Sequence, residues 1–354
     1  GEDFVLDAAF AAQQAEQFRS DQVGRIVQNA VTTTSVDTVS LDRDVFNGID
    51  PTTSERLDSW SVTNQRHSGR CWEFAGLNVI RAQVMRNLNI ENLEFSQNHI
   101  AFFDKIEKVN FAFARAVETI DLPDGDEQVR ELLGELSDGG YWPQFVDIVG
   151  KYGLVPQWAM PDTESSGNTG RMNRALEMIV RRVVGQIRAA RGAGDQDTRI
   201  AAAREQGLKD AWRVLAIHLG TPPTSFTWQY RDKDKNFHRE GTFTPTRFAR
   251  HIIPGDLGEY ATVQHDPRTE NPVGQGYVRE HTPYMVGRPG YSYVSAEMDD
   301  IKALAIESIC SGELVWFSCD VNAQFDRELG IWDANLHDYE GLYASGAAHN
   351  PGID

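Results

Sequence analysis

The sequence has few of the features that mark membrane or nucleic-acid-binding proteins. Its 354 residues contain no run of 18 or more apolar residues, the length that a membrane-spanning helix requires. Lys and Arg number 34 against 52 Asp and Glu, which gives a formal net charge of -18. A surface that binds nucleic acid needs clustered positive charge. We therefore expect neither a membrane nor a nucleic acid as partner.

Cysteine is also scarce. Cys71, Cys310 and Cys319 stand at unrelated spacings, so they predict neither a disulfide framework nor a zinc site. The first four residues carry no basic segment and no long apolar core, and no secretory signal is expected. These features favour a protein of the reducing cytoplasm without a metal or other cofactor. Cys310 and Cys319 are expected to pack in the core as small apolar side chains.

The residues that indicate chemistry are concentrated around Cys71. Polar, turn-prone residues precede it, and an apolar pattern of helical period begins directly after it, which predicts a buried helix over 71–88. At the first turn of such a helix, free backbone N–H groups and the helix dipole stabilise a thiolate. Gln65 offers a side-chain amide that, with a backbone N–H, forms an oxyanion hole for acyl transfer. The alternative is that Cys71 is an ordinary buried apolar side chain.

The spacing of Gln65, Cys71 and Trp72 resembles the nucleophile loop of papain-like cysteine peptidases. Arg70, directly before the cysteine, is similar to the bleomycin hydrolase and aminopeptidase C branch of that family, as are residues 95–108 and 220–234. The resemblance implies a papain-like α+β fold with helical insertions. It also implies release of N-terminal residues from small peptides through a thioester on Cys71, with Gln65 as oxyanion donor, in homohexamers.

A glycine pair, Gly139 and Gly140, leaves its backbone uncovered, so that an extended substrate can approach and pair with it. A plain tight turn is the alternative. By the same resemblance, both glycines would hydrogen-bond the main chain of the substrate. Tyr141 and Trp142 would then lie near the pocket for its side chain.

Periodicity and turn residues, taken with the family resemblance, divide the chain into four segments, of which the insertion and the β-rich half are what the resemblance implies. These are an N-terminal helical segment (1–60), a helical half with the nucleophile (61–161), a helical insertion (162–258) and a β-rich half (259–354). Helices are predicted over 5–30, 71–88, 100–109, 144–152, 198–219 and 298–311, and strands over 226–234, 259–263, 291–294 and 314–321. Ser96 is expected to cap the helix over 100–109, and Gly153 and Gly220 are expected to end the helices over 144–152 and 198–219. His99, at the start of one helix, is expected at the surface.

A cysteine peptidase also needs a general base and a group that orients it. In the resembled family a His and an Asn from the β-rich half fill these roles, and neither motif occurs in this chain. His67, His337 and His349 do not match the pattern. We therefore expect the β-rich half to be incomplete and this chain to be the front three-quarters of an active enzyme. A catalytically dead relative or oligomeric scaffold is the alternative, and a different cysteine acyltransferase, such as an amidase, is a second.

Overall fold

The computed structural model describes residues 5–57, 60–279, 282, 285–319 and 325–343. The chain divides into two compact units, one formed by 1–54 with 318–354 and the other by 55–317. Within the described part, every helix is too short or too polar to span a bilayer.

The first unit begins with four helices, α1 (Ala8–Ser20), α2 (Gln22–Val31), α3 (Val36–Ser40) and α4 (Arg43–Gly48). The prediction of a single helix over 5–30 is wrong, because the helix is interrupted at Asp21. The Asp21 carboxylate accepts a hydrogen bond from the Gly24 N–H at 2.9 Å and so caps a new helix, α2.

The second unit opens with α5 (Cys71–Asn87), α6 (Gln97–Glu118), α7 (Glu127–Glu131) and α8 (Trp142–Tyr152). The predicted helices over 71–88 and 144–152 are confirmed. Ser96 caps α6 as expected, since its Oγ accepts a hydrogen bond from the His99 N–H at 3.0 Å, but the helix runs well beyond residue 109. A Cβ on Gly76 would lie 2.9 Å from the Phe145 ring, so α5 and α8 pack this closely only through glycine.

The middle of this unit contains α9 (Glu164–Gly167), α10 (Gly170–Ala189), α11 (Gln196–Leu219), β1 (Phe226–Arg231), β2 (Phe237–Phe243) and α12 (Pro245–Ile252). The long helices α10 and α11 pack on each other and on α6. The strands β1 and β2 form an antiparallel hairpin. Helix α11 ends at Leu219, and the next residue, Gly220, has a φ of 83° that suits glycine, which confirms the predicted end.

A small sheet follows, formed by β3 (Val263–Gln264), β4 (Gly276–Arg279) and β5 (Tyr291–Ser295), and then α13 (Met298–Cys310). The central strand β5 pairs parallel with β3 and antiparallel with β4. The strand predicted over 314–321 is wrong for residues 314–319, which form no regular structure, while 320 and 321 lie outside the described residues. No described strand pairs with this stretch.

The chain then returns to the first unit with β6 (Phe325–Asp326), β7 (Ile331–Trp332) and α14 (Tyr339–Tyr343). Within that unit, Leu41 and His337 form an antiparallel bridge, and the Tyr339 hydroxyl donates to Asp37 Oδ1 at 2.6 Å. Early and late parts of the sequence therefore pack together.

Three expectations about burial are wrong. Cys310 and Cys319 are exposed rather than packed in the core. Cys310 ends α13, in which no described side chain is buried. Cys319 lies in the irregular stretch 313–319, where the strand that would have placed it in the core does not form. His99, expected at the surface, is 1% exposed. The reason is that α6 packs against α5, α8, α10 and α11, so it is buried on faces that an amphipathic helix would leave to solvent.

Candidate active site

Cys71 is the first residue of α5 and is exposed to solvent. Arg70 precedes the helix without a side-chain cap, and its carbonyl accepts hydrogen bonds from the N–H groups of Glu73 and Phe74 at 3.0 and 3.2 Å. No described residue accepts a hydrogen bond from the Cys71 N–H. The thiol thus stands at the uncapped positive end of a helix, beside a free backbone donor.

Gln65 opens the nucleophile loop, which we define as residues 65–70. Its Nε2 donates to the Ser68 carbonyl at 2.7 Å, and the Ser68 hydroxyl donates to the Gln65 carbonyl at 2.7 Å. These bonds fold the loop back on itself ahead of Cys71. An amide nitrogen carries two hydrogens, so one remains for another acceptor.

The nucleophile loop is also attached to the segment around α9. The His67 N–H donates to the Gly167 carbonyl at 2.9 Å, and an Arg70 Nη donates to Asp162 Oδ1 at 3.0 Å. The Arg70 side chain is almost fully buried. The sequence identified Arg70 only as a family marker, and the structure shows that it ties the loop to the segment around α9.

The glycine loop, residues 136–140, lies against the nucleophile loop. The Gly69 N–H donates to Asp138 Oδ2 at 3.0 Å, and Trp72 Nε1 donates to the Asp138 carbonyl at 2.8 Å. Burial alone would raise the pKa of Asp138. The Lys105 ammonium, and hydrogen bonds from Lys105, Thr169 and Gly69, outweigh burial and hold this pKa well below its usual range. These contacts therefore favour the ionised form of Asp138.

The two predicted glycines differ in what their backbones do. A Cβ on Gly140 would lie 2.5 Å from the Trp72 ring, so only glycine fits. The Gly139 N–H donates to the Ser137 hydroxyl at 3.0 Å, and its carbonyl accepts from Lys108 Nζ at 2.7 Å. No described residue hydrogen-bonds to the Gly140 backbone. Of the pair, Gly140 has its backbone groups free for a ligand.

The two aromatic residues that follow occupy different environments. Tyr141 is half-buried, with its ring 4.4 Å from that of Tyr291 on β5. Trp142 is buried and packs against Phe145 and Tyr260, with ring centroids 5.5 and 5.6 Å away. Part of the Tyr141 side chain is thus exposed, whereas Trp142 lies in the core.

Glu73, two residues after the cysteine, is buried, and neither carboxylate oxygen has a hydrogen-bond partner among the described residues. Burial raises the pKa of Glu73 well above its usual range, and the charges of Arg70 and Lys108 oppose this only in part. No sequence signal indicates this group, because a glutamate in a helix is normally assigned to the solvent face.

No described histidine or asparagine hydrogen-bonds to the Cys71 thiol. His67 is exposed, His337 belongs to the other unit, and His349 lies outside the described residues. Among the residues that the structure describes, no cluster of three or more His, Cys, Asp or Glu side chains is arranged to hold a metal ion.

Comparison with known proteins shows that this fold is that of the papain-like cysteine peptidases. The crystal structure of PepW from Lactobacillus rhamnosis matches with a TM-score of 0.93 and 32% sequence identity, over 98% of this chain and 78% of that one. The sequence profile of the Peptidase C1-like family matches residues 5–350.

Two bleomycin hydrolases and an aminopeptidase C are also similar to this chain in sequence. Rat (Rattus norvegicus) bleomycin hydrolase is 34% identical over 95% of this chain and 75% of its own length. Human (Homo sapiens) bleomycin hydrolase is 38% identical over 79% of this chain and 62% of its own length. Aminopeptidase C of Lactobacillus delbrueckii subsp. lactis is 33% identical over 90% of this chain and 71% of its own length. The chain belongs to the Peptidase C1-like family of cysteine peptidases, and the predicted papain-like α+β fold is confirmed.

Proposed function

We propose that this chain is a cysteine aminopeptidase that hydrolyses N-terminal peptide bonds of small peptides through a thioester on Cys71. Relatives named bleomycin hydrolase and aminopeptidase C support this substrate class. The observation that carries the proposal is the exposed Cys71 with an unengaged backbone N–H at the start of a buried helix. The loop that carries Gln65 lies directly before it.

In the proposed reaction the Cys71 thiolate attacks the carbonyl carbon of the substrate and a C–S bond forms. The carbonyl oxygen becomes an oxyanion, stabilised by the Cys71 N–H and the second amide hydrogen of Gln65. Collapse breaks the C–N bond, and the leaving amine takes a proton from a general acid. Water then hydrolyses the thioester, which releases the carboxylate and the thiol.

The substrate main chain would pair with Gly140, whose backbone groups are free. Gly139 would have to exchange its bonds to Ser137 and Lys108 before it could pair in the same way. Tyr141 would contact the substrate side chain, with Trp142 behind it.

An activated ester tests the chemistry, because a p-nitrophenolate leaving group needs no protonation. With an aminoacyl p-nitrophenyl ester, the wild type should release about one equivalent of p-nitrophenolate in a burst. Cys71→Ala should abolish the burst, and Cys310→Ala, at another exposed cysteine, should leave it unchanged. Gln65→Ala should slow it about 10²–10³-fold, as loss of one oxyanion donor does. A burst that survives in Cys71→Ala would contradict the proposal.

A catalytically dead relative, or an oligomeric scaffold, is the second candidate. It is favoured by the absence of a described histidine or asparagine bonded to the Cys71 thiol. For such a protein a peptidyl epoxide and the ester should both leave Cys71 unmodified. Hydrolysis of aminoacyl amides in preference to peptides would instead indicate an amidase.

We also propose that the chain assembles into a homo-oligomer, a hexamer by the family resemblance, and acts in the cytoplasm without nucleic acid or membrane partners. Light scattering of the purified protein tests the assembly, since a mass equal to the 39.7 kDa of one chain would contradict it.

A further inference from the structure

Asp138 joins four parts of the second unit at one carboxylate. We propose that Asp138 is a positioning residue for oxyanion formation, and that Thr169 in the helical insertion acts through it on the nucleophile loop. The inference rests on the proposed function, because it assigns a further role at the same site.

Four donors surround the Asp138 carboxylate. Oδ2 accepts from the Gly69 N–H at 3.0 Å and from the Thr169 hydroxyl at 2.5 Å. Oδ1 accepts from Lys105 Nζ at 2.6 Å and from Asn173 Nδ2 at 2.8 Å. A carboxylate has about four acceptor positions, so this one is saturated. The donors come from the nucleophile loop, from α6, from α10 and from the residue just before α10.

Two lysines of α6 donate hydrogen bonds to backbone carbonyls of the glycine loop. Lys105 and Lys108 have side chains that are 3% and 4% exposed. Lys105 Nζ donates to the Ser137 carbonyl at 3.0 Å, and Lys108 Nζ donates to the carbonyls of Ser137 and Gly139 at 2.9 and 2.7 Å. Buried ammonium groups need a counter-charge, which Asp138 supplies to Lys105. The position of Asp138 is therefore determined from several sides.

The two proposed oxyanion donors are held by different means. The Cys71 N–H belongs to α5, which is fixed by its packing in the core. Gln65 belongs to the nucleophile loop, and the Gly69–Asp138 bond connects that loop to the glycine loop and the insertion. Loosening Asp138 should shift Gln65 relative to Cys71 without moving the sulfur. Acyl transfer, which forms an oxyanion, should suffer, whereas alkylation at a saturated carbon should not.

The variant Thr169→Val removes one hydroxyl bond to Asp138 and preserves side-chain shape. With the aminoacyl p-nitrophenyl ester, the acylation rate should fall about tenfold, since bonds to a charged acceptor are among the stronger ones. The rate of Cys71 alkylation by iodoacetamide should stay within about twofold. Thr169→Ser, which keeps the hydroxyl, should restore acylation.

Thr119→Val is the matched control, because Thr119 is also buried and its hydroxyl donates at 2.8 Å to the Arg115 carbonyl at the end of α6. It should change neither rate. Equal loss of acylation and alkylation in Thr169→Val, or no loss of either, would overturn the positioning role.

Hydrogen exchange separates this inference from the proposed function. If the wild type is alkylated but never acylated, the proposed function fails on its own. The positioning role still requires faster deuterium uptake by residues 65–70 in Thr169→Val than in Thr119→Val. Equal uptake in the two variants would overturn it, whatever the ester assay shows.

Discussion

The imidazole of His99 should make the protein sensitive to mild acid. The residue is 1% exposed, neither ring nitrogen has a partner among the described residues, and the ring packs edge-on against Phe103 with centroids 5.0 Å apart. Burial lowers the pKa of His99 from 6.5 to about 4. The folded protein therefore keeps His99 neutral at pH values where the unfolded chain binds a proton.

The sign and size of the effect follow from this difference. Because the folded-state pKa is depressed, the stability contribution is fully present above pH 6.5 and declines as the pH falls towards 4. Each pKa unit corresponds to about 1.4 kcal/mol, so the span from 6.5 to about 4 amounts to about 3 kcal/mol of the free energy of unfolding. This is a large part of the stability of an ordinary domain.

His99→Leu removes the titrating group at nearly constant volume. Guanidinium unfolding can be followed by tryptophan fluorescence between pH 7.5 and 4.5. The free energy of unfolding of the variant should rise relative to that of the wild type as the pH falls. Phe103→Leu is the control, because it disturbs the same contact without removing a titratable group. It should cost about 1–2 kcal/mol at every pH. A difference between wild type and His99→Leu that stays constant across the range would refute the reasoning.

Two further predictions concern residues near the nucleophile. The pKa of Glu73 is raised, so the free energy of unfolding of the wild type falls as the pH rises above about 4.5. In chemical unfolding at pH 8, the free energy of unfolding of Glu73→Gln should be about 1–3 kcal/mol higher than that of the wild type, and at pH 4 this advantage should be absent. Gly140→Ala should cost about 1–3 kcal/mol and reduce the ester burst, since its Cβ would meet the Trp72 ring at 2.5 Å. Gly150→Ala, with open space around the new Cβ, should leave both unchanged or slightly improved.

Helix ends were predictable because their signals are local. The Ser96 cap, and the stop signals Gly153 and Gly220, each depend on a few neighbouring residues, and all three act as expected. Asp21 is a signal of the same kind, and it divides the stretch predicted as one helix over 5–30 into two helices. Residues 314–319 show the opposite case, because a strand requires a partner strand that no local pattern specifies.

The polar interior beside the nucleophile could not be predicted, because its partners are distant in sequence. Helical periodicity places Lys105 and Lys108 on one face of α6, and a charged face is normally assigned to solvent. Their partners lie about thirty residues further on, in the glycine loop. Burying these ammonium groups costs several kcal/mol each unless donors and acceptors are well placed. Packing alone would be served as well by apolar side chains, so the ionic arrangement is better explained by the geometry that it imposes. The ionic arrangement fixes the glycine loop against the nucleophile loop. A small displacement of the nucleophile loop would separate the two proposed oxyanion donors.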